Sequence, residues 1–176
     1  MSCTIAPVPL WNYVAEPADI IAVTMKCVAT ALLLPAFMCA ADPAGFVYWS
    51  AKDLKTYEQK LKPKMNEGKV ASVTLAEFGN HLTMIAHREG DGEAEVHDLM
   101  ADFFVVQTGE ATLVVGGKVV NGKTTAPNEI RAPKIDGGER RKLVAGDIVH
   151  IPKKVPHQLL IENGKQFTYY VIKVKE

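Results

Sequence analysis

The chain has 176 residues, enough for one domain with a sizeable core and too few for two ordinary domains. Its 48% hydrophobic and 23% charged residues lie close to the globular average, which excludes wholesale disorder and collagen-like repeats. Twenty basic and twenty acidic side chains cancel to zero net charge, so the basic footprint of a nucleic-acid binder is missing and no nucleic-acid partner is expected.

The N-terminal stretch reads differently from the rest. Met25-Lys26 precedes an apolar run from Cys27 to Cys39, followed by the small residues Ala40 and Ala41 and then Asp42. One positive charge, a short apolar stretch and a small-residue exit form the layout of a secretory signal peptide over residues 25–41. The run is short for a transmembrane span, which takes roughly 20 residues, so no stable span is expected in the mature form. Residues 1–24 carry Glu16, Asp19 and three prolines with no basic residue, and are read as an over-extended reading frame with Met25 as the true start. The expected product is exported, periplasmic or extracellular. All three cysteines (Cys3, Cys27, Cys39) precede Asp42, so it would fold without disulfides and without cysteine chemistry.

Residues 42–68 form an expected N-terminal arm with one amphipathic helix. Ser50 followed three residues on by Asp53 is an acidic capping box. Leu54, Tyr57 and Leu61 then recur at helical spacing, and Pro63 and Gly68 end the run. The helix is expected over about 51–62, covering an open sheet edge. From residue 69 to 176 the texture is that of strands. Short runs rich in Val, Ile, Thr, Phe and Tyr alternate with Gly, Asn, Asp and Pro, predicting strands near 70–77, 81–88, 93–98, 102–107, 110–115, 117–120, 142–145, 147–151, 157–162 and 166–175. The fold class is therefore all-β, a barrel or jelly roll. Residues 121–141 lack periodicity and are read as a long loop, either a solvated excursion or a lid.

Metal-binding side chains fall in a suggestive order. Glu95 and His97 are two apart on a predicted strand and so share a face. Asp102 opens the next strand, and His157 follows the turn Pro152-Lys153-Lys154-Val155-Pro156. Imidazoles and carboxylates converging from separate strands suit a divalent transition metal, and two histidines plus one carboxylate is a recognised Fe(II) arrangement. Spacing alone leaves the plainer alternative open, that these are ordinary surface or core histidines. His150 is placed equally well in the cavity or in solvent. His81 and His87 read as structural, and Arg88, Arg140 and Arg141 as solvated faces or contacts to an anionic ligand. No serine-hydrolase elbow, phosphate loop or dinucleotide fingerprint is present.

The frame around these residues resembles the cupin superfamily, small single-domain cupins in particular. The family's first motif runs Gly, five residues, His-x-His, three or four residues, Glu, six residues, Gly. Glu95-Val96-His97, four residues, Asp102, then six residues to Gly109 follow that frame. The second motif runs Gly, five residues, Pro-x-Gly, two residues, His, three residues, Asn. Gly146, Pro152 and His157 follow it. The resemblance covers about Val70 to Lys175 and implies a double-stranded β-helix with a metal or small ligand in the barrel mouth. It makes Glu95, His97, Asp102 and His157 the metal ligands, with Mn, Fe, Ni or Zn as the cofactor. Glu95 stands where the family has its first His, and Asp102, one methylene shorter, where it has Glu. Lys154 replaces the second motif's Gly and Ile161 its Asn. Two carboxylates harden the site towards Mn or Fe rather than Cu.

Three functions stay open. One is a metal-dependent dioxygenase or isomerase acting on a small organic molecule. The second is a non-catalytic barrel that binds a sugar-like small molecule without metal. The third is an assembly role in which barrel edges pair as a homodimer.

Overall fold

Among the described residues, the one α-helix begins where the capping box places it. The computed structural model describes residues 41–176, so the expectations for 1–24 and, apart from Ala41, for the leader lie outside the described residues. Helix α1 (Ala51–Leu61) is capped reciprocally: Ser50 Oγ accepts from the Asp53 N–H at 3.1 Å, and Asp53 Oδ2 accepts from the Ser50 N–H at 3.1 Å. A single 3-10 turn over Lys62–Lys64, with Pro63 inside it, ends the helix.

Twelve strands follow: β1 (Val70–Glu77), β2 (His81–Arg88), β3 (Ala94–His97), β4 (Met100–Val115), β5 (Lys118–Val120), β6 (Lys123–Ala126), β7 (Glu129–Ala132), β8 (Lys134–Asp136), β9 (Glu139–Val144), β10 (Ile148–Ile151), β11 (His157–Leu160) and β12 (Phe167–Lys175). All pairings are antiparallel, in the order β1-β2-β12-β4-β11-β3-β7-β6, with β10 and β9 also on β4 and a separate β5-β8 ribbon. The all-β expectation is met.

Two sequence expectations are corrected. The separate strands at 102–107 and 110–115 are one, β4, whose first half pairs with β12 and β10 and whose second half pairs with β11 and β9. One strand thus belongs to both halves of the curled sheet. It changes partners at Gly109, where φ is +80° and a Cβ would meet the Gln166 carbonyl oxygen at 1.9 Å. The second correction is the segment 121–141. It is largely strand, β6 to β8 and the start of β9, and its polar composition reflects edge positions rather than a loop.

The barrel interior is filled by Ala86, Phe104, Val106, Leu113, Ile151, Leu159, Phe167, Tyr169 and Val171 among others, all buried. Helix α1 lies on the outer side of the edge strand β1 and its neighbour β2. Leu61, Ala71 and Ile85 are buried there, with Leu54 and Tyr57 against them. Ile85 faces the helix and its neighbour Ala86 the barrel, as strand alternation requires. Removing Ile85 from water contributes about 1.5–3 kcal/mol. Glu58 pins the helix: Oε2 accepts from Thr108 Oγ1 at 2.8 Å and Oε1 from Gln166 Nε2 at 3.1 Å. Among the described residues no helix is long and apolar enough to cross a membrane.

Candidate metal centre

Three cross-strand registers build the centre. On β3, Glu95 stands opposite His157 of β11 on one side and opposite Arg131 of β7 on the other. His97, two residues on and therefore on the same face, stands opposite Glu129 of β7. Across the barrel, Asp102 of β4 pairs in register with Lys173 of β12. The turn before β11 is held by Lys154, whose φ is 65° and whose N–H donates to the His97 carbonyl at 2.7 Å. A left-handed backbone at this position explains why the resembled motif carries Gly there; Lys154 adopts the same conformation at a cost.

Glu95, His97, Asp102 and His157 converge, with one ligand atom from each lying within 4.8 Å of all the others. His97 Nε2 is 3.3 Å from Glu95 Oε2 and 3.3 Å from Asp102 Oδ2. His157 Nε2 is 3.5 Å from Asp102 Oδ2 and 3.9 Å from Glu95 Oε2. Ligand atoms about 2.1 Å from one ion stand roughly 3.0 to 3.4 Å apart, so these separations suit a single cation after slight tightening. The shorter arm of Asp102 reaches the centre because β4 carries it deep into the barrel, where it is 2% exposed.

Both imidazoles are oriented from outside. His97 Nδ1 lies 2.6 Å from Glu129 Oε2, and His157 Nδ1 lies 3.1 Å from the Val155 carbonyl oxygen. Each Nδ1–H is thereby directed outward and each Nε2 inward, the arrangement metal-ligating histidines take. His157 Nε2 is buried and has no hydrogen-bond partner. A buried, unpartnered nitrogen aimed at two carboxylates fits a cation ligand.

Glu95 divides its oxygens. Oε1 faces the guanidinium groups of Arg131 and, at 3.5 Å, Arg88, leaving Oε2 for the centre. Burial pushes the Glu95 carboxyl up, but the His97 hydrogen bond and the charges of Arg131, His157 and Arg88 outweigh it and hold its pKa at about 2. Burial likewise opposes ionisation of Asp102, and His157, His97 and Lys173 hold it well below the usual carboxylate range. Burial works against a charged His97, yet Asp102 and Glu95 lift its pKa to about 9.

The sequence reading missed Lys173, which sits on the Asp102 and His97 side of this cluster. Its Nζ donates to Asp102 Oδ1 at 2.8 Å and Oδ2 at 2.9 Å, and lies 2.9 Å from His97 Nε2. His97 and Lys173 cannot each point a proton at the other, so this contact holds one proton between them. Both the raised imidazole pKa and the close ammonium answer the same surplus of carboxylate charge. Glu129, Arg88 and Arg131 also belong to the site. Of these, the sequence singles out only Arg88 as a ligand contact, and Glu129 and Arg131 fall in the 121–141 segment expected to be a loop.

A cavity of about 220 Å³ opens onto the cluster. Its polar side is made by Arg88, Glu95, Arg131, His157 and Lys173, and its apolar wall by Met84, Phe104, Leu159 and Val171. Arg88 Nε donates to Tyr169 Oη at 2.9 Å at the same wall. The other histidines stay apart. His81 stacks on Phe78, His150 stacks on Phe103, and His87 is fully buried with Nδ1 2.8 Å from Thr168 Oγ1. Arg140 and Arg141 are exposed on β9.

No family model and no curated protein matches the chain. Among solved structures it is similar to a conserved protein with a double-stranded β-helix domain from Klebsiella pneumoniae, at 17% identity and a TM-score of 0.51 over 74% of this chain and 90% of that one. The fold is a double-stranded β-helix. Also similar are a cupin superfamily protein from Desulfitobacterium hafniense (14% identity, 63% of this chain and 82% of that one, TM-score 0.45) and a cupin superfamily sugar phosphate isomerase from Silicibacter pomeroyi (17% identity, 61% and 60%, TM-score 0.44). Within this barrel, the cluster could hold a metal ion.

Proposed function

We propose that this cupin barrel binds a divalent metal through Glu95, His97, Asp102 and His157 and receives a small organic molecule in the adjoining cavity, as a metal-dependent isomerase or dioxygenase. The observation that carries the reading is the inward aim of two imidazole Nε2 atoms, each fixed by an outward Nδ1 contact, onto two carboxylates. A divalent ion bound there supplies a Lewis-acidic centre beside the substrate. The chain's own residues supply the rest. Glu129 holds the His97 ring, Arg131 and Arg88 hold Glu95 in its carboxylate form, and the apolar wall of Phe104, Leu159 and Val171 keeps water from the far side of the ligand. Arg88 and Tyr169 orient a polar group of the substrate from the cavity wall.

Metal per chain, measured by mass spectrometry after purification without chelators or affinity tags and after reconstitution with Mn, Fe, Ni or Zn, tests the reading. Metal in wild type followed by substrate-dependent turnover or O₂ uptake supports it. No metal under any condition refutes it and leaves the second reading, a non-catalytic barrel for sugar-like molecules. Lys173 favours that second reading, because its ammonium already occupies both oxygens of Asp102 and faces His97 Nε2.

We also propose export through residues 25–41 and pairing as a homodimer. A reporter active only outside the cytoplasm, fused to residues 25–41, should gain activity. Light scattering at micromolar concentration should give twice the chain mass. An inactive reporter or a monomer mass removes the respective proposal.

A further inference from the structure

Strand β12 alternates Tyr169, Val171 and Lys173 onto the barrel interior, and all three line the cavity. The first two are buried and belong to the core. A lysine at the third position places a charge where an apolar side chain would cost least, and burying an ammonium is unfavourable unless its protons are satisfied. Here they are: three hydrogen-bond contacts at 2.8 to 2.9 Å, to both oxygens of Asp102 and to His97 Nε2, account for its three donors. The register of Lys173 with Asp102 delivers the side chain to this spot.

We propose that the Lys173 ammonium is the built-in cation of this cage, competing with a divalent ion for His97 and Asp102 and so setting the affinity of the site. The inference rests on the metal reading above. Its basis is the lone-pair count. A carboxylate can serve two cations, but an imidazole nitrogen has one lone pair, so the neutral His97 ring, with its proton on Nδ1, accepts at Nε2 either from Lys173 or from a metal. Two cations within one cluster also repel, and the short arm of Asp102 cannot move away from both. Lys173 has somewhere to go: its flexible stem borders a cavity of about 220 Å³ into which the ammonium can swing. Loading the site therefore moves a positive charge from the cage to the substrate space.

Apparent affinity scales with the fraction of chains whose cage is open. If the ammonium fills the cage nine-tenths of the time, removing it tightens binding about tenfold. The experiment is calorimetric titration of chelator-stripped full-length chain with Zn(II) and Mn(II), in wild type, Lys173→Met and Lys173→Gln. Met keeps the length without charge, and Gln keeps a donor for Asp102. Binding about tenfold tighter or more in a folded variant is the expected result. Equal or weaker binding in the variants overturns the competition while leaving the metal reading intact. Binding in none of the three proteins overturns both. Should neither variant fold, wild type decides. Lys173 should resist reductive dimethylation in chelator and become modified when Zn(II) is saturating, and unchanged protection overturns the proposal.

Discussion

Glu129 stands directly opposite His97 across the β3–β7 pair, and its Oε2 lies 2.6 Å from His97 Nδ1. A carboxylate at that place fixes the tautomer and direction of a ligand ring without touching the ion. Glu129→Ala should therefore lower metal affinity by about 10- to 100-fold. Glu129 is partly exposed, so the melting temperature of the chelated protein should change little. Titration calorimetry and thermal melting check the two halves; a large melting shift with unchanged affinity would make Glu129 merely structural.

His157 separates metal loss from packing loss. It is buried, with its ring edge-on to Phe104 at 6.2 Å, and is therefore no rim residue. His157→Gln, near in volume, should lose most bound metal and keep the fold. His157→Ala should lose the metal and also about 1–2 kcal/mol of stability through the space left beside Phe104. Metal content by mass spectrometry and urea unfolding read these outcomes, and equal metal in His157→Gln and wild type would remove His157 from the ligand set.

Helix α1 should loosen in acid. Burial pushes the Glu58 carboxyl up, but hydrogen bonds from Thr108, Lys62 and Gln166 prevail and lower its pKa. A depressed carboxylate contributes stability that is present above its unfolded value of about 4.3 and is lost as pH falls through its folded value. Protection of the amides of residues 51–61, measured against their intrinsic exchange rates, should fall below about pH 4 ahead of that in β4. Glu58→Gln should show the faster exchange already at neutral pH, and a flat profile in wild type would disprove this account of the helix anchor.

Gly109→Ala should destabilise the barrel by about 3 kcal/mol or more, because both the φ of +80° and the Gln166 carbonyl exclude a Cβ. The neighbouring Gly116 also has positive φ, +76°, but nothing within 4 Å, so Gly116→Ala carries only the conformational cost of about 1 kcal/mol. Chemical denaturation of the two variants distinguishes crowding from backbone strain; equal losses would refute the crowding argument.

Much of this architecture was readable locally. The capping box at Ser50 and Asp53, the helical spacing of Leu54, Tyr57 and Leu61, and the alternation that puts Glu95 and His97 on one face depend on residues within a few positions of one another. Such signals survive in the linear chain because backbone geometry alone converts spacing into direction. Asp102 and His157 were found through the motif frame, which preserves distances along strands. The merging of 102–115 into one strand was hidden by Gly109, which punctuates a sequence whether it ends a strand or only bends it. The strands in 121–141 were hidden because edge positions carry the polar residues of loops.

By itself, the sequence determined the all-β class and the helix start, and it named four side chains that the structure brings together. Only the tertiary structure decided that Lys173 meets Asp102 across 71 positions, that Glu129 holds His97 across 32, and that Arg131 is seated on Glu95. The physical reason is register. A strand dictates which side chains share its face, but which residue of a distant strand comes to stand opposite depends on the turns and bulges between them and on the burial of the whole sheet. A lysine near the end of β12 looks in sequence like any solvated charge, and becomes the cation of the cage only because the β12–β4 pairing carries it indoors.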